Sequence, residues 1–310
     1  MSGTILKGPY WVAARQHRPV LWAVPTVAAV ALVAVVALRY WAGGPNSYQA
    51  GEAWPDNGYE LLRLLMGHAG TGLIFLPLLV GAFVAGPMTA RELESGTWRL
   101  ALTQSTTPKA WLGSKVLVAA VVSVLGSVAL TGVYRLGWAR VTGTHGLHWA
   151  DRPTYEASGP VLAAYCLLGV ALGVLVGQLV RRTLVAMALT GMLTGLALLC
   201  LGALRWSLLP VQTGTGPLAA KQLTLMPGSA LMMDTGLLTS TGERLPEYAC
   251  FERSHDRTGC PADMDVTGWY VDFHPVSHYW PTQLIESSLV LALAGVALFV
   301  AFRVVGARRA

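Results

Sequence analysis

Six stretches of the chain contain no Asp, Glu, Lys or Arg: residues 19–38, 64–90, 116–134, 157–180, 183–204 and 287–302. Bilayer hydrocarbon is roughly 30 Å thick and takes about 20 helical residues to cross, with an accepted range of about 17–25. Five of the runs reach that length outright. The sixth, between Glu286 and Arg303, needs Pro281 to Ile285 to complete a crossing, which places Glu286 near one mouth. With 54% of its 310 residues hydrophobic and only 12% charged, the chain carries more apolar surface than a soluble domain can hide. The first run is also longer than the h-region of about 7–15 residues in a cleaved signal peptide, so it counts as a span. The expectation is an all-α polytopic membrane protein with six transmembrane helices.

Lys and Arg are unevenly shared between the segments joining these runs. The N-terminus (Lys7, Arg15, Arg18), the segment 91–115 (Arg91, Arg99, Lys109, Lys115), the turn Arg181-Arg182 and the C-terminus (Arg303, Arg308, Arg309) hold 12 of the 22 basic residues and only two acids, Glu92 and Glu94. The intervening segments hold 10 basic residues and 13 acids, with Glu286 left in the sixth span. The positive-inside rule then places both termini in the cytoplasm and the longest loop, between spans five and six, outside a cell membrane. The net charge of +6 follows from that bias beside anionic lipid and calls for no nucleic acid.

Four cysteines fit this orientation. Cys166 and Cys200 fall inside spans four and five as small apolar fillers. Cys250 and Cys260 frame CFERSHDRTGC in the outer loop, where an oxidising exterior favours a disulfide worth about 3 kcal/mol in the chain-entropy model. A metal site is the alternative, since His255 lies between them and His274 and His278 follow. None of the familiar zinc spacings is present.

The expected organisation is a cytoplasmic interfacial helix within residues 1–18, spans one to five over 19–204, an outer loop over 205–283, and span six with its tail over 284–310. Residues 5–18 mix apolar and basic side chains as an interfacial helix does, or as a plain basic flank. In span two, Pro77, Gly81, Gly86 and Pro87 predict a kink. In spans four and five, Gly169, Gly173 and Gly177, and Gly191 with Gly195, recur every fourth residue. That spacing predicts close helix packing in a tight hairpin, unless it reflects only a chain rich in small residues. Trp269, Tyr270, Tyr279 and Trp280 suit a bilayer interface.

The polar island RELESGTWRLALTQSTTPKAWLGSK, Arg91 to Lys115, interrupts two apolar runs. Gly96 is placed to end a helix. Thr107 and Pro108 form an N-cap and first-turn pair that should start span three. Between them Thr97 to Ser105 has enough apolar residues for a short helix, more structure than a turn between two spans requires.

This island resembles the segment after the second span of ABC-2 type export permeases, whose pattern runs Arg-Glu, a Gly-Thr pair, a short helix, a Thr/Gln-Ser/Pro turn and a Lys opening the third span. WVAARQHRP at Trp11 to Pro19 and HPVSHYWPTQLIESS at His274 to Ser288 are similar to an actinobacterial branch of that family. The resemblance implies a type V exporter-like permease fold in which the short helix docks in a groove of a separate ATPase. ATP and Mg2+ would be bound by that ATPase, not by this chain, which has no G-x-x-x-x-G-K-[ST] loop. A second permease subunit, identical or related, would complete the transporter.

On this resemblance the docking residues are Arg91, Glu92, Glu94, Gly96, Thr97, Trp98, Arg99, Leu100, Gln104 and Ser105. His274 to Glu286 takes the place of short re-entrant helices at the outer gate, with His274, Trp280, Gln283 and Glu286 as pathway candidates. Glu286 either lines the exit path or lies shallow enough to reach water or favour its helix N-terminus. Glu92 and Glu94 either dock the ATPase or are solvated charges balancing Arg91 and Arg99. The cargo implied is hydrophobic or amphipathic: a drug, an antimicrobial peptide or a lipid-like compound.

Two rival classes remain at this level. One is a membrane-embedded enzyme using Asp263-Met264-Asp265 as a glycosyltransferase-like acidic pair. The other is a membrane scaffold or sensor that transports nothing. No H-E-x-x-H, G-x-S-x-G or Ser-Lys pattern supports hydrolysis, and neither rival has a use for an ATPase-docking helix.

Overall fold

The computed structural model describes residues 15, 18–41, 58–98, 107–143, 147–254 and 260–307. Most of residues 1–18, and Arg99, Leu100, Gln104, Ser105 and His255, lie outside the described residues. The chain divides into two compact units, residues 1–205 with 283–310, and residues 206–282.

Among the described residues, six helical segments are long and apolar enough to cross a membrane. Span one is Arg18–Trp41, span three Pro108–Val141, span four Val161–Val180, span five Thr183–Leu204 and span six Tyr279–Ala307. Span two, Gly58–Glu94, is interrupted. Span three, at 34 residues, is about 51 Å long at about 1.5 Å per residue, so it projects well beyond the hydrocarbon. Span four is the central helix, with 78% of its most apolar window buried against 6% for span one.

The expected break in span two has a definite form. An α-helix, Gly58–Ile74, is followed by a short helix at Leu76–Leu79, a π-helical segment Val80–Ala85 and a last α-helix Gly86–Glu94. Pro77 and Pro87 each fall in the first turn of a new segment, where a missing N–H costs nothing. The wide π turn lies between them, bedded on glycines from other spans.

Those glycines face a different neighbour from the one their hairpin position implies. A Cβ on Gly169 would lie 2.7 Å from the Pro77 carbonyl oxygen, one on Gly173 2.5 Å from Ala85 Cβ, and one on Gly177 2.3 Å from Thr89 Oγ1. Span four thus uses its stripe to admit span two. Gly191 and Gly195 also face span two, at 3.4 Å from Ala82 and 3.6 Å from Leu78. Spans four and five do form a hairpin, turned by Arg181 at φ 54° with its N–H bonded to the Gly177 carbonyl. Gly173→Ala is therefore expected to destabilise the protein by about 1–3 kcal/mol through overpacking. Gly191→Ala is expected to be neutral or stabilising by up to about 1 kcal/mol through helix propensity. Thermal melts of the two variants in detergent check the pair.

Residues 206–282 correct the all-α expectation, and a loop with re-entrant helices is not what they form. They build a four-stranded antiparallel sheet from β1 (Gln212–Pro217), β2 (Leu231–Thr239), β3 (Arg244–Pro246) and β4 (Val266–His274), in the order β1-β4-β2-β3. Val271 of β4 pairs with Gly214 and Thr235, so the last strand in sequence is a central one. Val271, Phe273 and Ala230 form a small core. Between His274 and Glu286, a single 3-10 turn at Val276–His278 leads straight into span six, leaving no separate re-entrant helices. Cys250 and Cys260 are disulfide-bonded, with Cα atoms 4.7 Å apart. They are therefore not free to bind metal, and among the described residues no group of His, Cys, Asp and Glu could hold a metal ion.

Candidate functional site: two polar clusters at opposite ends of the spans

At the ends of spans four, five and six that lead toward residues 206–282, three charged residues meet. Glu156 lies on a short helix, Arg152–Ser158, before span four. Arg205 directly follows span five, and Glu286 sits in the second turn of span six. All three side chains are 1% exposed. Arg205 donates through Nε to Glu286 Oε2 at 2.7 Å, and through Nη2 to Glu286 Oε1 at 2.9 Å and Glu156 Oε1 at 3.0 Å. Tyr165 of span four donates its hydroxyl to Glu286 Oε1 at 2.8 Å. The guanidinium stacks on the Tyr155 ring, 4.0 Å from its centroid. Arg152 donates from Nε to Glu156 Oε1 at 2.9 Å, bringing the group to two guanidinium and two carboxyl groups. A buried guanidinium is tolerable only with this degree of charge balance and hydrogen bonding.

Gln283 completes the arrangement by spanning a break in the backbone. Gly159 and Pro160 separate the short helix from span four. Gln283 Oε1 accepts the Val161 N–H at 3.2 Å while Nε2 donates to the Tyr155 carbonyl at 2.7 Å. A Cβ at position 159 would lie 2.2 Å from the Gln283 amide, so only glycine leaves room. Of the pathway candidates, Gln283 is thus a staple and Glu286 the anchor of a buried ion pair, neither a shallow carboxylate nor a simple helix-end charge.

The second cluster lies at the island end. Gly96, at φ 73°, follows the last helix of span two, and the Thr107 side chain accepts the Ala110 N–H to cap span three. Glu92 Oε1 pairs with Lys115 Nζ at 2.5 Å, and Glu92 Oε2 accepts from Trp111 Nε1 at 3.0 Å. Lys115, 4% exposed, also donates to the Met88 carbonyl at 3.3 Å. Glu94 Oε2 accepts both the N–H and the hydroxyl of Thr183, at 2.9 and 2.5 Å, and so caps span five. Glu92 is half-buried and Glu94 is exposed, and each is held by a neighbouring span. One ties span two to span three and the other ties it to span five. Arg91 is exposed, Thr97 bonds Ser95 through their hydroxyls at 2.9 Å, and Trp98 packs against the core formed by Ala85, Met88, Leu112 and Val305.

The remaining candidates lie apart from these clusters. Trp280 is half-exposed at the start of span six, edge-on to Tyr279. His274, 1% exposed at the end of β4, bonds the Trp206 carbonyl through Nε2 at 3.0 Å and His278 through Nδ1 at 2.9 Å. Burial, and the neighbouring His278, hold the His274 imidazole below its ordinary range. The fold therefore prefers neutral His274, whereas the unfolded chain takes up a proton near pH 6.5. Its contribution is fully present above that pH and diminishes as pH falls below it. Amide exchange along β4 of the full chain is expected to accelerate, after correction for intrinsic rates, between pH 7.5 and 5.5, and His274→Asn should flatten the change. The acidic pair of the enzyme reading does not converge: Asp263 meets Arg253 and Asp265 meets the Ser240 hydroxyl.

The model of a family described as ABC-2 membrane transporter related matches residues 47–205, just over half of the chain. No curated protein and no solved structure matches. The matched region runs from before span two through Arg205, so it holds the residues of the island-end ties and all of the Arg205 cluster except the residues of span six.

Proposed function

Because the chain belongs to the ABC-2 membrane transporter related family, and is on that ground a multi-pass membrane transporter subunit, we propose that it is the permease of an ATP-driven exporter. The cargo is a hydrophobic or amphipathic compound, moved out of the cell by alternating access. A separate ATPase docks on residues 91–105, and a second permease subunit completes the pathway. Both termini and the island are cytoplasmic, and the sheet unit with its disulfide faces the exterior, in keeping with the distribution of Lys and Arg.

The observation that carries this reading is the pair of ties at the island end. Glu92 and Glu94 lie on the last helix of span two, at the start of the docking segment, and hold spans three and five respectively. A push on the island by an ATPase closing around nucleotide is thereby delivered to three spans together, as a two-state transporter needs. The Arg205 cluster joins the opposite ends of spans four, five and six, so that end moves as a block, or parts where these bonds break.

Co-purification with a candidate ATPase tests the docking. Arg91→Glu combined with Arg99→Glu is expected to abolish the complex while leaving the isolated permease monodisperse, since Arg91 is exposed. A reversed-charge variant that still captures the ATPase as well as wild type would sink the docking assignment.

A further inference from the structure

Between spans one, two, three and four lies a cavity of about 200 Å3. Val24 and Val27 of span one form one wall, and Val80 and Val84 of span two form another. Span three contributes Ser123 and Gly126, and Cys166 of span four is buried at the lining. No charged side chain reaches it. The polar lining groups are serines, and Ser127 turns its hydroxyl back onto the Ser123 and Val124 carbonyls of its own helix, at 2.6 and 3.1 Å. An apolar cavity of about 150 Å3 is large enough to take a small apolar ligand and stays dry without one.

Every lining residue falls within the spans, and Val27 is 57% exposed, so the phase next to the cavity is bilayer hydrocarbon rather than water. Gly126 keeps spans one and three close at one edge, since a Cβ there would lie 2.9 Å from Val24 Cγ1. The wall formed by Val80 and Val84 belongs to the π-helical segment, whose far end runs into the helix carrying Glu92 and Glu94. An occupant of the cavity thus packs against the one non-α turn of span two, in line with the ties to the island.

We propose that this cavity is the subsite for a hydrocarbon chain of the transported compound, entered sideways from the bilayer, with occupancy communicated to the island through the π turn. The assignment of the chain to cargo rests on the exporter reading; the binding of a chain does not. Resident lipid would satisfy the same apolar chemistry, so the test separates the two sources.

A palmitate analogue bearing a mid-chain diazirine is photolysed with the full chain in phosphatidylcholine nanodiscs, and adducts are mapped by mass spectrometry. Adducts are expected at Val80, Val84 and Ser123 in excess over Leu125, which lies on the exposed face of span three. Ser123→Leu and, separately, Val122→Phe fill the cavity without touching either polar cluster. Each methylene displaced weakens binding about fourfold, so adducts at Val80 and Val84 should fall about tenfold or more while those at Leu125 are unchanged. Val84→Ala enlarges the cavity and should raise labelling at Val80. Labelling no greater than at Leu125, or unaffected by either filling variant in monodisperse protein, overturns the site. In the ATPase-bound transporter the same probe should stimulate ATP hydrolysis in wild type and not in Ser123→Leu. Labelling of the cavity without that stimulation identifies a resident lipid and overturns the assignment to cargo. Failure of any ATPase to bind counts against the exporter reading while leaving the photolabelling result intact.

Discussion

Arg205→Ala is expected to cause the largest loss of stability among single substitutions in the membrane unit. Removing one partner of a buried ion pair typically costs about 3–5 kcal/mol, because the charge left behind has neither water nor a counter-ion. Here the guanidinium serves Glu286 through two bonds and Glu156 through a third, so its loss strands Glu286 without a counter-ion and leaves Glu156 with Arg152 alone. Glu286→Gln should follow closely, since both Glu286 oxygens are engaged, by Arg205 and by Tyr165. Glu156→Gln should cost less: Glu156 Oε2 has no hydrogen-bond partner among the described residues, and Arg152 remains nearby. The double variant Arg205→Met with Glu286→Leu should recover much of the stability, because a buried pair replaced by apolar residues of similar volume is often close to neutral. Thermal unfolding in detergent orders the series. The double variant also separates stability from function. If it is folded and transports as wild type does, the cluster is merely structural; if it is folded and fails to transport, the polar character of the cluster is needed for the cycle.

Glu92→Ala carries the second large effect, and it is expected in the isolated permease with no ATPase present. Lys115 is almost fully buried and its ammonium would be left with the Met88 carbonyl, while Trp111 would lose its acceptor. A loss of about 3–5 kcal/mol follows from the stranded charge, and Lys115→Met combined with Glu92→Leu should restore most of it. Glu94→Ala removes only an exposed cap on span five and should leave the melting temperature nearly unchanged. Equal melting behaviour of the two single variants would refute this distinction. An alanine at position 92 therefore reports on folding first, whereas Arg91, which is exposed, is the cleaner site for testing the proposed docking.

Much of the membrane unit was legible because hydrocarbon imposes one strong rule, that charges stay out of roughly 20-residue segments. The helix ends were legible for local reasons. Thr107-Pro108 caps span three and Gly96 ends span two whatever surrounds them. The Arg205 cluster was only half legible. Glu156, Arg205 and Glu286 each bound an uncharged run on the same side of the membrane, a signal visible in the sequence. Their convergence on one point depends on how spans four, five and six are arranged. The sheet left a similar trace: VTGWYVDFH, over Val266–His274, is dense in β-branched and aromatic residues. Partner, order and register of that strand come only from long-range pairing.

The sequence by itself determined six segments apolar enough to cross a membrane, where most of them begin and end, and where span two must break. Desolvation, capping and proline geometry act over a few residues and need no partner. Only the tertiary structure decided that the glycines of span four receive span two, that Glu92 is tied to Lys115, and that Glu286 is locked to Arg205. These depend on which helix stands beside which. In hydrocarbon that choice is made by close packing and by the matching of a few buried polar groups, neither of which is encoded in any single segment.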